Sequence, residues 1–258
     1  MNKTIAIITG ASSGMGRDFV LALDRDERFD EIWVIARRAD RLEALRPTLR
    51  APLRTLPMDL TDPAALGRFR SLLEADKPNV AVLVNASGYG KFARHDEISL
   101  DETLGMIDLN CRALVAVTEL TLLYMQKGGR IYQLGSLSSF QPVPYMNVYA
   151  ASKAFVLSYS RGLNVELKPR GIRVMAVCPG WVKTDFFDRA ETQEKKTVTY
   201  FNRLYESADV VKLALRDMKR GKDVSILGLP VRNQVRAVKL LPHKLIMAVW
   251  MKQQGLPK

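Results

Sequence analysis

Cysteine is almost missing from the chain, with Cys111 and Cys178 the two examples in 258 residues, which excludes a disulfide framework. Both sit in or beside apolar stretches, Leu109 to Val117 and Val174 to Val177, and read as buried free thiols suited to a reducing cytoplasm. No run approaches the roughly 20 apolar residues that span a bilayer. The apolar start, Thr4 to Ile8, is too short for a signal peptide and is interrupted by Gly10, Ser12 and Ser13. Lys and Arg (39) outnumber Asp and Glu (27) for a formal net charge of +12, but there is no dense basic arm and no interleaved aromatic platform. That spacing argues against a nucleic-acid partner while leaving a positive field that attracts anions. With 47% apolar residues the chain can bury a substantial core as one domain. The expectation is a cytoplasmic chain that holds no metal.

What is present begins with a strand and a glycine loop. Thr4 to Ile8 is β-branched apart from Ala6, and it runs into Thr9-Gly10-Ala11-Ser12-Ser13-Gly14-Met15-Gly16 before a helical pattern through Phe19, Val20, Leu21 and Leu23. Glycines at a strand-to-helix junction let the backbone turn tightly and approach a pyrophosphate, whose charge meets the helix N-terminus. Ser13 and Arg17 stand beside that loop. A second strand, Ile32 to Ile35, ends at Ala36-Arg37-Arg38. NAD sites place an acidic residue there; two arginines instead could clamp a 2′-phosphate, which favours NADP(H), or could be ordinary surface charge opening the next helix. Pro52 to Pro57 offers a third strand, after which Asp62 or Thr61 can cap a helix. Val80 to Val84 is continuously apolar, as a fully buried parallel strand should be.

Further along, Tyr149 and Lys153 lie four apart in a helical stretch, so both side chains leave one face. Unit charges about 4 Å apart at an effective dielectric near 20 interact by roughly 4 kcal/mol, and a pKa unit is worth about 1.4 kcal/mol. A lysine is therefore able, in magnitude, to draw a phenol toward neutral pH. Ser136 lies thirteen residues before Tyr149, at the end of a predicted strand from Arg130 to Gly135. A hydroxyl there can bond a substrate oxygen while the phenol moves its proton.

A serine followed thirteen residues later by Tyr-x-x-x-Lys resembles the active site of the short-chain dehydrogenase/reductase family, and so does the Gly-x-x-x-Gly-x-Gly spacing of Gly10, Gly14 and Gly16. The resemblance runs from residue 4 to about 228. It implies a single-domain, Rossmann-like α/β fold, a doubly wound parallel sheet with helices on both faces. It also implies hydride transfer between NADP(H) and a ketone or secondary alcohol, with Ser136, Tyr149, Lys153 and Asn110 catalytic. Tyr149 and Lys153 would also meet the cofactor, as would Ser12, Ser13 and Met15 of the loop. Arg37 and Arg38 would take the phosphate, and Asp59 with the Leu60 backbone the adenine edge. Asn85-Ala86-Ser87-Gly88 departs from the family's Asn-Asn-Ala-Gly turn in its middle, leaving Asn85 and Gly88 as matches. Asn110, within a helical pattern from about Leu100 to Met125, would kink that helix and hold a water on the proton path, although an exposed helix asparagine is the alternative. Cys178-Pro179-Gly180-Trp181-Val182-Lys183-Thr184 resembles the loop that contacts the nicotinamide carboxamide, through Pro179, Gly180, Val182 and Thr184.

Phe186 to Tyr205 is polar with scattered aromatics, and by resemblance covers the substrate as a mobile lid. A helix from Ala208 to Lys219 and a last strand from Val224 to Leu227 follow, completing a domain over residues 1–228. Residues 229–258 form a basic amphipathic tail that Pro242 and His243 split. Packing on the same domain or a partner subunit is favoured over contact with an anionic membrane. The resemblance further implies a homodimer or homotetramer, pairing through the long central helices. Aromatics in the lid and apolar residues in the tail lean toward a lipophilic, steroid-like small molecule.

Overall fold

The computed structural model describes residues 2–186, 190, 198–199, 201 and 203–256. Seven parallel strands form one sheet in the order β3-β2-β1-β4-β5-β6-β9. They are β1 (Thr4–Thr9), β2 (Glu31–Ala36), β3 (Leu53–Pro57), β4 (Asn79–Asn85), β5 (Arg130–Leu134), β6 (Arg173–Val177) and β9 (Val224–Ser225). Helices cover both faces: α1 (Gly14–Asp26) and α7 (Ser207–Lys219) on one, and α3 (Pro63–Asp76), α5 (Leu114–Leu122) and α6 (Asn147–Glu166) on the other. The short α2 (Ala39–Glu43) follows β2. Successive strand side chains point to opposite faces, so Ala6 and Ile8 of β1 join Phe19 and Val210 in one core while Ile5 and Ile7 join Phe69 and Val117 in the other. The strands read as unbroken apolar runs because both faces are buried.

Strand order reverses between β1 and β4, and the chain ends of those strands meet there. Gly10 has φ +67°, and a Cβ on it would lie 2.7 Å from the backbone of Ala86 and Ser87, so only glycine fits. Thr9 Oγ1 accepts from the Ala86 and Ser87 N–H groups, each at 3.1 Å. Beneath them Asn85 Nδ2 donates to Thr118 Oγ1 (2.9 Å) and Gln133 Oε1 (3.0 Å), and Gln133 Nε2 donates to the same threonine at 3.0 Å. This buried amide network pins the end of β4 to β5 and α5.

Three details differ from the sequence-based expectation. The pattern from Leu100 to Met125 is three pieces: α4 (Leu100–Ile107), a wide π turn over Asp108–Ala113, and α5. The last strand stops at Ser225 rather than Leu227, since Gly228 turns with φ +88° and the Ile226 carbonyl accepts from Arg232 Nε at 2.8 Å instead of a neighbouring strand. A small parallel pair, β7 (Trp181–Lys183) with β8 (Leu204–Glu206), was too short for any periodicity to reveal. The tail forms α8 (Leu229–Leu240) and α9 (His243–Gln253), with the break at Leu241 and Pro242. Val231, Val235, Val238 and Ile246 are buried. Among the described residues no helix is long and apolar enough to cross a membrane. Cys178 is buried as expected, whereas Cys111 is only half-buried; both are free thiols.

The amide network gives a stability expectation. Thr118→Val removes the oxygen that two buried amides share, and should lower unfolding free energy by about 1–3 kcal/mol in urea titration. An unchanged midpoint would mean the network is not what holds this strand end.

Candidate active site

Ser136 follows β5 in extended conformation and caps a single turn of 3-10 helix over Leu137–Phe140. Its Oγ accepts from the Ser138 N–H (3.2 Å), and its own N–H donates to Ser139 Oγ (3.1 Å). With an acceptor position of Ser136 taken, its proton is free to point at the Tyr149 phenol, to which it hydrogen-bonds. Tyr149 lies in the first turn of α6 and Lys153 one turn later; both are buried. Lys153 Nζ donates to Leu134 O at 2.7 Å and sits 5.7 Å from the Tyr149 ring centroid.

Burial pushes the Tyr149 phenol up to about 12, with the Ser136 hydrogen bond opposing the rise. Burial also brings the Lys153 ammonium down to about 8. Lys153 is not among the groups that shift the Tyr149 phenol here. Its cation is engaged on the Leu134 carbonyl, and removal of the phenolate from water is the largest cause of the shift. The phenol stays protonated.

Asn110 lies in the π turn and is fully buried, which removes the exposed-asparagine alternative. Its Oδ1 accepts from Tyr89 N (3.0 Å), while Nδ2 donates to Tyr89 O (2.9 Å) and Ser152 Oγ (3.0 Å). A Cβ on Gly88 would come within 2.9 Å of Asn110 Oδ1 and 3.3 Å of Lys153 Nζ. Gly88, Asn110 and Lys153 thus converge on one point behind Tyr149.

A cleft runs from this point over the glycine loop. Gly10, Ser12, Ser13, Gly14, Met15 and Gly16 form its floor. Arg37 and Arg38 flank it on one side, and Asp59, Leu60, Gly88 and Thr184 line it elsewhere. A Cβ on Gly14 would meet Thr184 Cγ2 at 2.9 Å, and one on Gly16 would meet Gly10 O at 2.2 Å. Ser13 precedes α1 without a side-chain cap, and no acidic residue stands in that helix's first turn. Arg38 Nη2 donates to Ser12 Oγ (3.1 Å) and Ser13 Oγ (3.3 Å), which holds a guanidinium over the loop. Arg37 instead pairs loosely with Asp59 at 3.9 Å. Asp59 also accepts from Thr61 N and Oγ1, while Asp62 caps α3 through Ala64 N at 2.8 Å. An uncapped helix start, bare glycines and a nearby cation fit a dinucleotide pyrophosphate.

Asn85 does not line this cleft; its amide is spent in the network below the sheet end. Pro179, Gly180 and Val182 line a second cavity, with Tyr149 on its wall, that adjoins the cleft at Met15, Ala86, Gly88, Thr184 and Phe186. A Cβ on Gly180 would be 3.4 Å from Val231, an ordinary contact, so the protein itself does not demand glycine there. Phe92, Trp181, Phe186 and Trp250 build an aromatic wall around Tyr149, with the Phe186 ring centroid 5.5 Å from that of Tyr149. The expected lid falls largely on residues 187–189, 191–197, 200 and 202, outside the described residues.

Residues 4–195 match the sequence model of a family described as short chain dehydrogenase. The chain belongs to the short-chain dehydrogenase family. Membership carries the general activity, nicotinamide-dependent oxidoreduction between an alcohol and a carbonyl. An uncharacterised oxidoreductase from Myxococcus xanthus is 30% identical over 251 residues, covering 95% of each chain. A short-chain dehydrogenase from Sphingobium yanoikuyae, solved with NADPH, is 29% identical with a TM-score of 0.78 over 94% of this chain and 95% of its own. A bulky-bulky ketone specific alcohol dehydrogenase from Comamonas testosteroni is 25% identical with a TM-score of 0.72, covering 93% of each chain. Solved proteins of this fold hold NADPH in some cases and NAD in others.

Sequence reading of this short-chain dehydrogenase missed two groups of site residues. Ser139 was legible in principle, since Ser136-x-x-Ser139 has the spacing of a capping box. Phe92 carried no signal, and Trp181 and Trp250 were legible only as parts of the loop after Cys178 and of the apolar tail, because the three come from segments far apart in the chain. With Lys153 titrating near 8, NADPH affinity should weaken about tenfold from one unit below to one unit above that pH, as the cation beside the dinucleotide site is lost. Fluorescence titration measures this, and Lys153→Met should bind weakly with no such pH dependence; an equally pH-dependent variant would assign the effect to another group.

Proposed function

We propose that the chain transfers a hydride between NADP(H) and a lipophilic ketone or secondary alcohol. The observation that carries this is the convergence of Ser136, Tyr149 and Lys153 where the dinucleotide cleft opens into an aromatic-walled cavity; Met15, Ala86, Gly88, Thr184 and Phe186 border both spaces. The bound dinucleotide supplies or accepts the hydride. In reduction, Tyr149 donates its proton to the developing alkoxide and Ser136 hydrogen-bonds that oxygen. A phenol kept protonated by burial suits this direction. Lys153 offers its ammonium to the ribose side of the cleft. Asn110 acts by holding the Tyr89 backbone and the Ser152 hydroxyl in place, and a water relay toward Lys153 is the role the family resemblance gives it.

NADP(H) is favoured because β2 ends in Ala36 with no acidic side chain for ribose hydroxyls, and because Arg38 is already held over Ser12 and Ser13. The similarity to an NADPH-bound relative supports this choice, and that to a bulky-ketone enzyme supports a large apolar substrate. Residues 229–256 pack against the substrate cavity through Trp250, which fits a tail that closes the site rather than a separate membrane anchor. Exposed Leu100, Leu104 and Ile107 on α4 and Phe155 on α6 supply an apolar face for homo-oligomer pairing.

Tyr149→Phe should lower ketone reduction by about a thousandfold while NADPH binding changes little; appreciable turnover in this variant would remove the phenol from the mechanism. Arg38→Ala should weaken NADPH more than tenfold and NADH only slightly. Equal losses for the two dinucleotides would refute the 2′-phosphate assignment.

A further inference from the structure

The cavity beside Tyr149 has a cofactor end, where its walls are shared with the dinucleotide cleft, and a tail end, where α8 and α9 close it. Among the described residues lining it, Lys153 is the only charged one, and its ammonium is committed to Leu134 O. The tail end is polar without being charged. Gln141, in the loop after the Ser136 turn, lines the cavity together with Gln234 of α8 and Gln253 of α9. None of these three carboxamides has a hydrogen-bond partner among the described residues. The segments that carry them are tied together: α8 packs on the Leu137–Phe140 turn, and the Trp250 indole donates to Pro144 O at 3.0 Å. On the same wall, Ser138 Oγ is buried and also without a partner among the described residues.

We propose that this end is a second polar subsite, and that the substrate is an uncharged ketone or alcohol carrying a hydrogen-bonding group, of amide or hydroxyl type, remote from its reacting carbon. The proposal rests on the oxidoreductase reading above and names the substrate class of that site. A carboxamide both donates and accepts, so three of them match a neutral group of the same kind. Gln141 and Gln234 are half-buried and Gln253 is exposed, so a carboxylate or ammonium placed there loses part of its hydration, with no counter-charge among the lining side chains to replace it. A purely apolar end covers the amides and leaves them unpaired, which a site built on hydrogen bonds rejects.

The test is a series of aryl methyl ketones on one scaffold that differ only at the far end: carboxamide, hydroxyl, methyl, carboxylate or trimethylammonium. NADPH oxidation gives kcat and KM, and quenching of Trp181 and Trp250 fluorescence in the NADP-loaded protein gives binding separately. The expected kcat/KM for the carboxamide and hydroxyl ketones is about tenfold above the methyl ketone and on the order of a hundredfold above both ions. In Gln234→Leu the carboxamide's advantage should vanish through KM while the methyl ketone binds more tightly. Equal use of carboxylate and carboxamide overturns the subsite, as does a loss in Gln234→Leu of one size for every ketone. Binding in the expected order without turnover of any ketone keeps the subsite and overturns the oxidoreductase reading instead.

Discussion

An ammonium buried in the protein interior needs an acceptor, and Lys153 finds it in the carbonyl at the end of β5. That contact ties the sheet to α6 and sets where Tyr149, one turn earlier on the same face, presents its hydroxyl. It also explains why Gly88 has no side chain, since a Cβ would press on the ammonium from the other side. A π turn over Asp108–Ala113 lies beside this cluster. By widening the helix at Asn110 it brings an amide to the backbone of Tyr89, so one residue connects the end of β4 to α6 through Ser152.

The electrostatics of this cluster keep both titrating groups toward their neutral forms. Burial acts on both titrating groups, raising the phenol and lowering the ammonium, so each is biased toward its neutral form. Ser136 works against that bias, and it does so because its oxygen is fixed by the Ser138 N–H while its own N–H is held by Ser139. A local capping motif at the start of a short turn thereby orients a reacting group.

Much of the scaffold was legible along the chain. Parallel strands buried on both faces leave unbroken apolar runs, and a glycine loop between strand and helix leaves a spacing that survives any decoration. Gly10, Gly14, Ser136, Tyr149 and Lys153 all belong to such local patterns, the glycines lining the cleft and the other three the cavity beside it. The Asn85 amide bonds Thr118 and Gln133, which no sequence position at a strand end could say, since it does not show on which side of the sheet the amide will find partners. The β7 and β8 pair and the early end of β9 escaped notice because two or three residues hold no period.

The amino-acid sequence by itself determined the separate buried strands, the glycine loop and the spacing of Tyr149 and Lys153, because each depends on residues within a turn or two of one another; the doubly wound order was implied by the family resemblance, since the sheet pairs residues as distant as Thr4 and Asn79. Tertiary structure alone decided the protonation bias of that pair, which comes from how deeply neighbouring segments bury it. It also decided the character of the substrate cavity. Gln141, Gln234 and Gln253 are separated by long stretches of chain, and their common environment exists only once α8 and α9 fold back over the loop that follows Ser136.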